Sequence, residues 1–129
     1  RGNMTPYAKP MENGNHEDVR WAAVSGKGLP GLMAQADAGN LLQAGVLPYT
    51  DEQMDPVEYT VDLPPSTASV FVIAAKTTGV GSNGCGPRPG DDYIVWSTPS
   101  TFSYVLRLLP SGAKLAQAGH VQAPANRAK

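Results

Sequence analysis

Fourteen glycines and twelve prolines punctuate this chain of 129 residues, and between them no apolar-periodic stretch is long enough for a bundle helix. Such punctuation limits the chain to short elements joined by tight turns. With 41% apolar residues it is too hydrophobic for a disordered polymer, and at 13.5 kDa it can enclose one modest core. Several short strands with turn signals between them, and one short helix, predict an all-β antiparallel sandwich. The sandwich is expected over residues 1–110. Residues 111–129, rich in Ala and Gln without apolar periodicity, are expected to be mobile or loosely laid on the surface.

The strands are read from alternation. Asp18 to Val24 places Val19, Trp21 and Ala23 on one face. Leu32 to Ala36 and Leu41 to Ala44 read as two strands joined by a hairpin turn at Ala38-Gly39-Asn40, with a helix as the alternative for this Ala-rich stretch. Thr50-Asp51-Glu52-Gln53 is a capping box that opens a short helix, and Pro56 stops it. Tyr59, Val61 and Leu63 read as a half-buried strand ended by Pro64-Pro65. Val70 to Ala75 is continuously apolar and is expected at the centre of the core, covered on both faces. Phe102, Tyr104, Leu106 and Leu108 alternate with Ser103, Val105 and Arg107 in a final strand before Pro110.

Charge and special residues exclude several functions. Ten basic against eleven acidic side chains, with neither sign in a block, leave no electrostatic footprint for nucleic acid. The single cysteine, Cys85, cannot close an internal disulfide, and with two histidines it falls short of a dedicated metal site unless carboxylates join. No apolar run approaches the ~20 residues that span a bilayer, so no membrane partner is expected, and the first 30 residues carry no signal-peptide stretch. The chain begins at Arg1, as a processed product or a piece of something longer would.

Gly79-Val80-Gly81-Ser82-Asn83-Gly84 satisfies a dinucleotide-binding pattern, but Cys85-Gly86-Pro87-Arg88-Pro89-Gly90 cannot open the helix that such a site needs. What the loop can do is bring backbone groups and the Ser82 and Asn83 side chains close to a polar ligand. A tight turn with no ligand is the plainer alternative. The segment from Glu12 to Trp21 gathers Glu12, Asn13, Asp18 and Arg20 ahead of an aromatic anchor, where Arg20 could pair with Glu12 or Glu17. His16 reads as a hydrogen-bonded surface residue. The adjacent carboxylates Asp51-Glu52 and Asp91-Asp92 sit in expected turns, where no burial tunes them apart for acid and base work. No GxSxG elbow is present, and Asn3-Met4-Thr5 is a formal glycosylation sequon.

Taken in order, these segments resemble a known family. Thr5-Pro6-Tyr7, Pro10, Glu12-Asn13-Gly14-Asn15 and Asp18-Val19-Arg20-Trp21 look like the TPY..P.ENGN..DVRW signature in the C-terminal region of family-two glycoside hydrolases of the β-galactosidase type. Pro48-Tyr49-Thr50-Asp51-Glu52-Gln53 resembles the family's PYT.EEL segment, and Leu63-Pro64 its strand end. Thr78 to Pro87 is similar to its GVGSNSCGP loop, and Phe102 to Arg107 to its closing F.F.LR strand.

The resemblance implies the second half of a C-terminal β-supersandwich domain of a large enzyme that hydrolyses terminal β-D-galactosides with retention. It implies that the catalytic glutamates, and the magnesium and sodium ligands, lie on a barrel outside this chain, which itself would hold no catalytic residue and no cofactor. It places Gly81, Ser82, Asn83 and Cys85 nearest the sugar, at the active-site mouth, and sets Gly86 and its neighbours where some members carry a stacking tryptophan. Glu12, Asn13, Asp18, Arg20 and Trp21 are the structural motif. The expected partners are a β-galactoside, the remainder of the enzyme on the same chain or another subunit, and further copies in a homo-oligomer. The cytoplasm is the expected compartment, with the periplasm as alternative. An autonomous carbohydrate-binding sandwich is the competing function, and a ligand-free structural module a third.

Overall fold

The computed structural model describes residues 7–37, 39–79 and 85–121. Among the described residues, six strands form two three-stranded antiparallel sheets, which makes an all-β, sandwich-like fold with few short helices. One sheet has the order β1 (His16–Val19), β4 (Leu42–Leu47), β5 (Val70–Ala74). The other has the order β2 (Trp21–Val24), β3 (Gly31–Ala36), β6 (Tyr104–Leu109).

The single strand expected over Asp18 to Val24 is divided. Asp18 has φ 53, a left-handed backbone that Asp tolerates better than most residues, and the pairing register shifts between His16 and Val19. The chain therefore leaves one sheet at Val19 and enters the other at Trp21. The hairpin expected between Leu32–Ala36 and Leu41–Ala44 is likewise absent. Both segments are strands, but β3 pairs with β2 and β6 whereas β4 pairs with β1 and β5. Crossing between the sheets makes each of them the central strand of its own sheet. Alternation reports which way a side chain faces, not which strand lies beside it.

The core follows from that centrality. Met33, Ala34, Leu42, Ala44, Leu47, Met54 and Leu109 are the buried apolar residues, most of them on β3 and β4. Val70–Ala74 forms β5 as expected, but at a sheet edge and half-buried throughout, so it is not the centre of the core. Tyr59, Val61 and Leu63 do not form a strand. Residues Thr60–Asp62 make one 3-10 turn, in which Thr60 N–H donates to Ala8 O at 2.8 Å and the Thr60 hydroxyl donates to Tyr7 O. That attachment to the N-terminal segment, with Pro64-Pro65 unable to donate to a ladder, outweighs the period-2 pattern.

Two helices are short. In α1 (Asp51–Met54) the expected capping box is complete: Gln53 N–H donates to the Thr50 hydroxyl and Thr50 N–H donates to Gln53 Oε1. The backbone N–H of Glu52 and the Thr50 hydroxyl hold the exposed Glu52 carboxyl below its ordinary pKa.

The second helix, α2 (Leu115–His120), follows Ser111 despite the lack of apolar periodicity there, because it is held by polar bonds and one close contact. Gln35 Nε2 donates to Gly119 O and Val121 O. Arg107 donates to Ala118 O, Val121 O and Gln35 Oε1. A side chain and a cation thus serve the carbonyls at a helix C-terminus, where positive charge is favourable. Gly119 lies against the Trp21 indole so closely that a Cβ would fall 2.2 Å from Trp21 Cε2. Gly119→Ala should therefore destabilise the chain by a net of about 1–2 kcal/mol, overpacking outweighing the gain in helix propensity. Urea unfolding measures it, and a stabilised variant would show that α2 shifts freely.

Candidate functional site

The glycine-rich loop is the candidate site, and its base is well defined. Gly79 N–H donates to Tyr93 O at 3.1 Å, and Val95 N–H donates to the Thr78 hydroxyl at 3.1 Å. The two arms of the loop are thereby fastened side by side just before residue 80 and just after residue 92. Gly79 lies against the far arm, where a Cβ would make ordinary contact with Pro89 and Tyr93 at 3.8 Å. Within the returning arm, Arg88 pairs with Asp91 at 2.8 Å at the start of a 3-10 turn, Asp91–Tyr93. The pair is exposed and fixes local geometry more than stability.

Of the residues expected nearest the sugar, Gly81, Ser82 and Asn83 lie outside the described residues, and Cys85 is exposed on the returning arm. Exposed aromatics stand close by in sequence: Tyr93 is 72% and Trp96 55% accessible, in the arm that is bonded to Thr78 and Gly79. Such exposed rings offer apolar faces to the C–H surface of a sugar. The sequence reading placed no weight on them.

The structural motif surrounds the first sheet crossing. Glu12 is exposed. Asn13 is half-buried and donates from Nδ2 to Met11 O at 2.9 Å. Asp18 supplies the left-handed turn, Arg20 accepts through its carbonyl from Ala36 N–H at 2.9 Å, and Trp21 supports Gly119. The Arg20 pairing with Glu12 or Glu17 is not formed among the described residues; Glu17 instead accepts from Gln43 Nε2 at 3.1 Å.

Gln43, which the sequence reading passed over, ties the two polar segments together. It lies in the middle of the first sheet and is 9% exposed. Its Oε1 accepts from Asn15 Nδ2 at 3.1 Å and from the Thr77 hydroxyl at 2.6 Å, while its Nε2 serves Glu17. The segment from Asn15 to Glu17 and the foot of the glycine loop are thus held by one buried amide. A glutamine amid apolar strand residues was the available signal, because a buried amide requires partners. Among the described residues no three His, Cys, Asp or Glu side chains converge as a metal site would need, and no helix is long and apolar enough to cross a membrane.

Comparison with known proteins bears on the same segments. The family model described as beta galactosidase small chain matches residues 1–108. The chain belongs to the β-galactosidase small-chain family. The match takes in both polar segments, the glycine loop and most of β6. Among curated relatives, a β-galactosidase of Arthrobacter sp. (strain B7) is 32% identical over 105 residues, covering 79% of this chain and 10% of the relative. One from Actinobacillus pleuropneumoniae is 35% identical over 91 residues, covering 70% of this chain and 8% of the relative. A third, BgaC of Bifidobacterium adolescentis, is 31% identical over 102 residues and is covered to 9% of its length. This small-chain region therefore spans about a tenth of the length of the curated relatives it matches. No solved structure matches it at comparable significance.

Proposed function

We propose that this chain serves a β-galactosidase as a non-catalytic part, supporting the enzyme and lending the glycine loop to the mouth of its active site. The observation that carries the reading is the small-chain match over residues 1–108 in a chain about a tenth the length of whole β-galactosidases. The substrate is a terminal β-D-galactoside, hydrolysed with retention by two carboxyl groups on the remainder of the enzyme, which also holds the magnesium and sodium. Gly81, Ser82, Asn83 and Cys85 face the group beyond the galactose. Tyr93 and Trp96 flank it in place of a tryptophan within the loop. The fastened loop base supports this reading, since a loop that positions a sugar needs rigid feet.

The test is a replacement. In the Arthrobacter enzyme the matching segment is removed, or exchanged for this chain, and turnover of a chromogenic β-galactoside is followed. The isolated 129-residue chain should show no turnover and the exchanged enzyme should regain it. Within the exchanged enzyme, Asn83→Ala should raise KM for lactose about tenfold, as expected for a lost hydrogen bond of about 1.4 kcal/mol, with a smaller change in kcat. Turnover by the isolated chain, or an exchanged enzyme no better than the truncated one, overturns the proposal.

A further inference from the structure

The family match ends at residue 108, and α2 lies beyond it. After β6 the chain reverses through a tight turn, with Ala113 N–H donating to Pro110 O at 3.1 Å and Gly112 at φ 76, and lies back across the second sheet. A helix of six residues does not hold itself together in water. The residues that grip it from beneath, Trp21 on β2, Gly31 and Gln35 on β3 and Arg107 on β6, all belong to the matched region.

The grip is of sheet side chains on helix main chain. Gln35 Nε2 donates to Gly119 O at 3.2 Å and to Val121 O at 2.8 Å, and Arg107 donates to Ala118 O at 2.9 Å and to Val121 O at 3.2 Å. Three carbonyls at the helix C-terminus thus receive four side-chain bonds, which recognises a backbone whatever its side chains. The Arg107 guanidinium meets no carboxylate among the described residues, and the negative end of the helix stands in for one. Gln35 is 7% exposed, and both donors of its amide go to this segment.

Side chains are selected at two points. Leu115 lies over Gly31, where a Cβ would meet Leu115 Cδ2 at 3.5 Å. Gly119, four residues on and therefore on the same face of the helix, lies against the Trp21 indole with no room for a Cβ.

We infer that the Trp21–Gln35–Arg107 face is a peptide-docking site and that residues 115–121 are its ligand, a segment outside the family match that can leave and rebind as a separate peptide while both sheets stay folded. Two observations select this occupant. It is seated on the site, and it meets what the site asks for: an apolar residue, a glycine four positions later, and a helix end whose carbonyls face Arg107. The short tether from Pro110 to Lys114 keeps the segment at high effective concentration. In the intact chain the site is therefore filled, and α2 closes this face to other chains that carry the same pattern.

Gly119→Leu empties the site without shortening the chain, because the leucine collides with Trp21. The variant is made with Trp96→Phe, which leaves Trp21 as the one tryptophan. Its circular dichroism should keep the strand signal of the parent. A peptide of residues 111–121, amidated so that the Val121 carbonyl remains an amide, should bind it with a Kd on the order of 100 µM, read as a shift in Trp21 emission. The Trp96→Phe chain with its own tail intact should bind the peptide at least about tenfold more weakly, since the tail competes. A peptide carrying Gly119→Leu should not bind. Arg107→Met in the emptied chain should weaken binding about tenfold, and Arg107→Lys should recover part of the loss.

A Gly119→Leu chain that unfolds, or that folds and leaves the peptide unbound at millimolar concentration, overturns the inference and makes the tail an integral part of the core. Binding that is as tight to the chain with its tail intact, or indifferent to Arg107→Met, places the peptide elsewhere and overturns it too. A parent chain that sediments as a dimer, and as a monomer with Gly119→Leu, supports it, the tail of one copy then filling the site of the other. None of these readouts involves a galactoside, so the proposed function stands or falls separately.

Discussion

Met33→Ala should cost about 2–5 kcal/mol of unfolding free energy, the largest loss expected from any single truncation in this chain. Met33 and Leu42 are the largest fully buried side chains, one on each central strand. Around Met33 the register neighbours are Ala23 on β2 and Arg107 on β6, whose guanidinium is committed to α2. Neither can move in to fill the space that three side-chain heavy atoms would leave, so the cavity persists and its lining loses contacts outright. A domain of this size holds only about 5–15 kcal/mol in total, and the variant should lose a large share of it. Urea unfolding should show a midpoint lower by at least about 1 M at unchanged slope. Leu108→Ala, at a residue 77% exposed, is the comparison, expected within about 0.5 kcal/mol of the parent. Equal losses at Leu108 and Met33 would mean that the apolar face of β6 is already covered in the isolated chain.

What the sequence revealed and what it concealed follow one physical line. Local chemistry was legible. The capping box at Thr50 and Gln53 depends on atoms three residues apart, and β2, β3, β5 and β6 fall within one residue of the stretches read as strands, while β1 begins two residues before its stretch and β4 runs three residues beyond its own. Partnership was not legible. The apparent hairpin of β3 and β4 is a crossing between sheets, and the apparent strand from Asp18 to Val24 is shared by both sheets, because period-2 alternation carries no information about neighbours. The residues at 59–63 alternate as a strand does, yet bonds from Thr60 to Tyr7 and Ala8, some fifty residues away, decide their conformation. Val70–Ala74, expected at the centre of the core, is half-buried, and the face of β6 that carries Tyr104, Leu106 and Leu108 is exposed. Their sequences carry more apolar surface than this chain covers by itself, which is what a part of a larger β assembly would encode.

Gln43→Ala should destabilise the chain by about 2–3 kcal/mol, and its effect should reach the glycine loop. The amide is bonded in both directions. Its carbonyl oxygen takes two donors, Asn15 and Thr77, and its nitrogen gives one bond to the Glu17 carboxylate. Hydrogen bonds to a charged group are worth more than neutral ones, and the truncation withdraws all three from a residue 9% exposed while leaving a void in a central strand. Asn15, Glu17 and Thr77 are exposed and recover water in part, which keeps the loss below that of an equally bonded group sealed in the core. Thr77 lies two residues before Gly79, so the foot of the loop loses its bond to the sheet and is held only by the Thr78 and Gly79 bonds to the far arm. In the exchanged β-galactosidase the variant should therefore raise KM for lactose by several-fold at temperatures where the protein remains folded. Gln43→Glu separates the two effects: it keeps the shape and the acceptors for Asn15 and Thr77 but sets one carboxylate against another at Glu17. It should lose stability through repulsion of the two carboxylates, while the loop foot keeps its bond and KM stays near the parental value. A Gln43→Ala variant with parental stability and parental KM would show that the two polar segments are fastened independently of this amide.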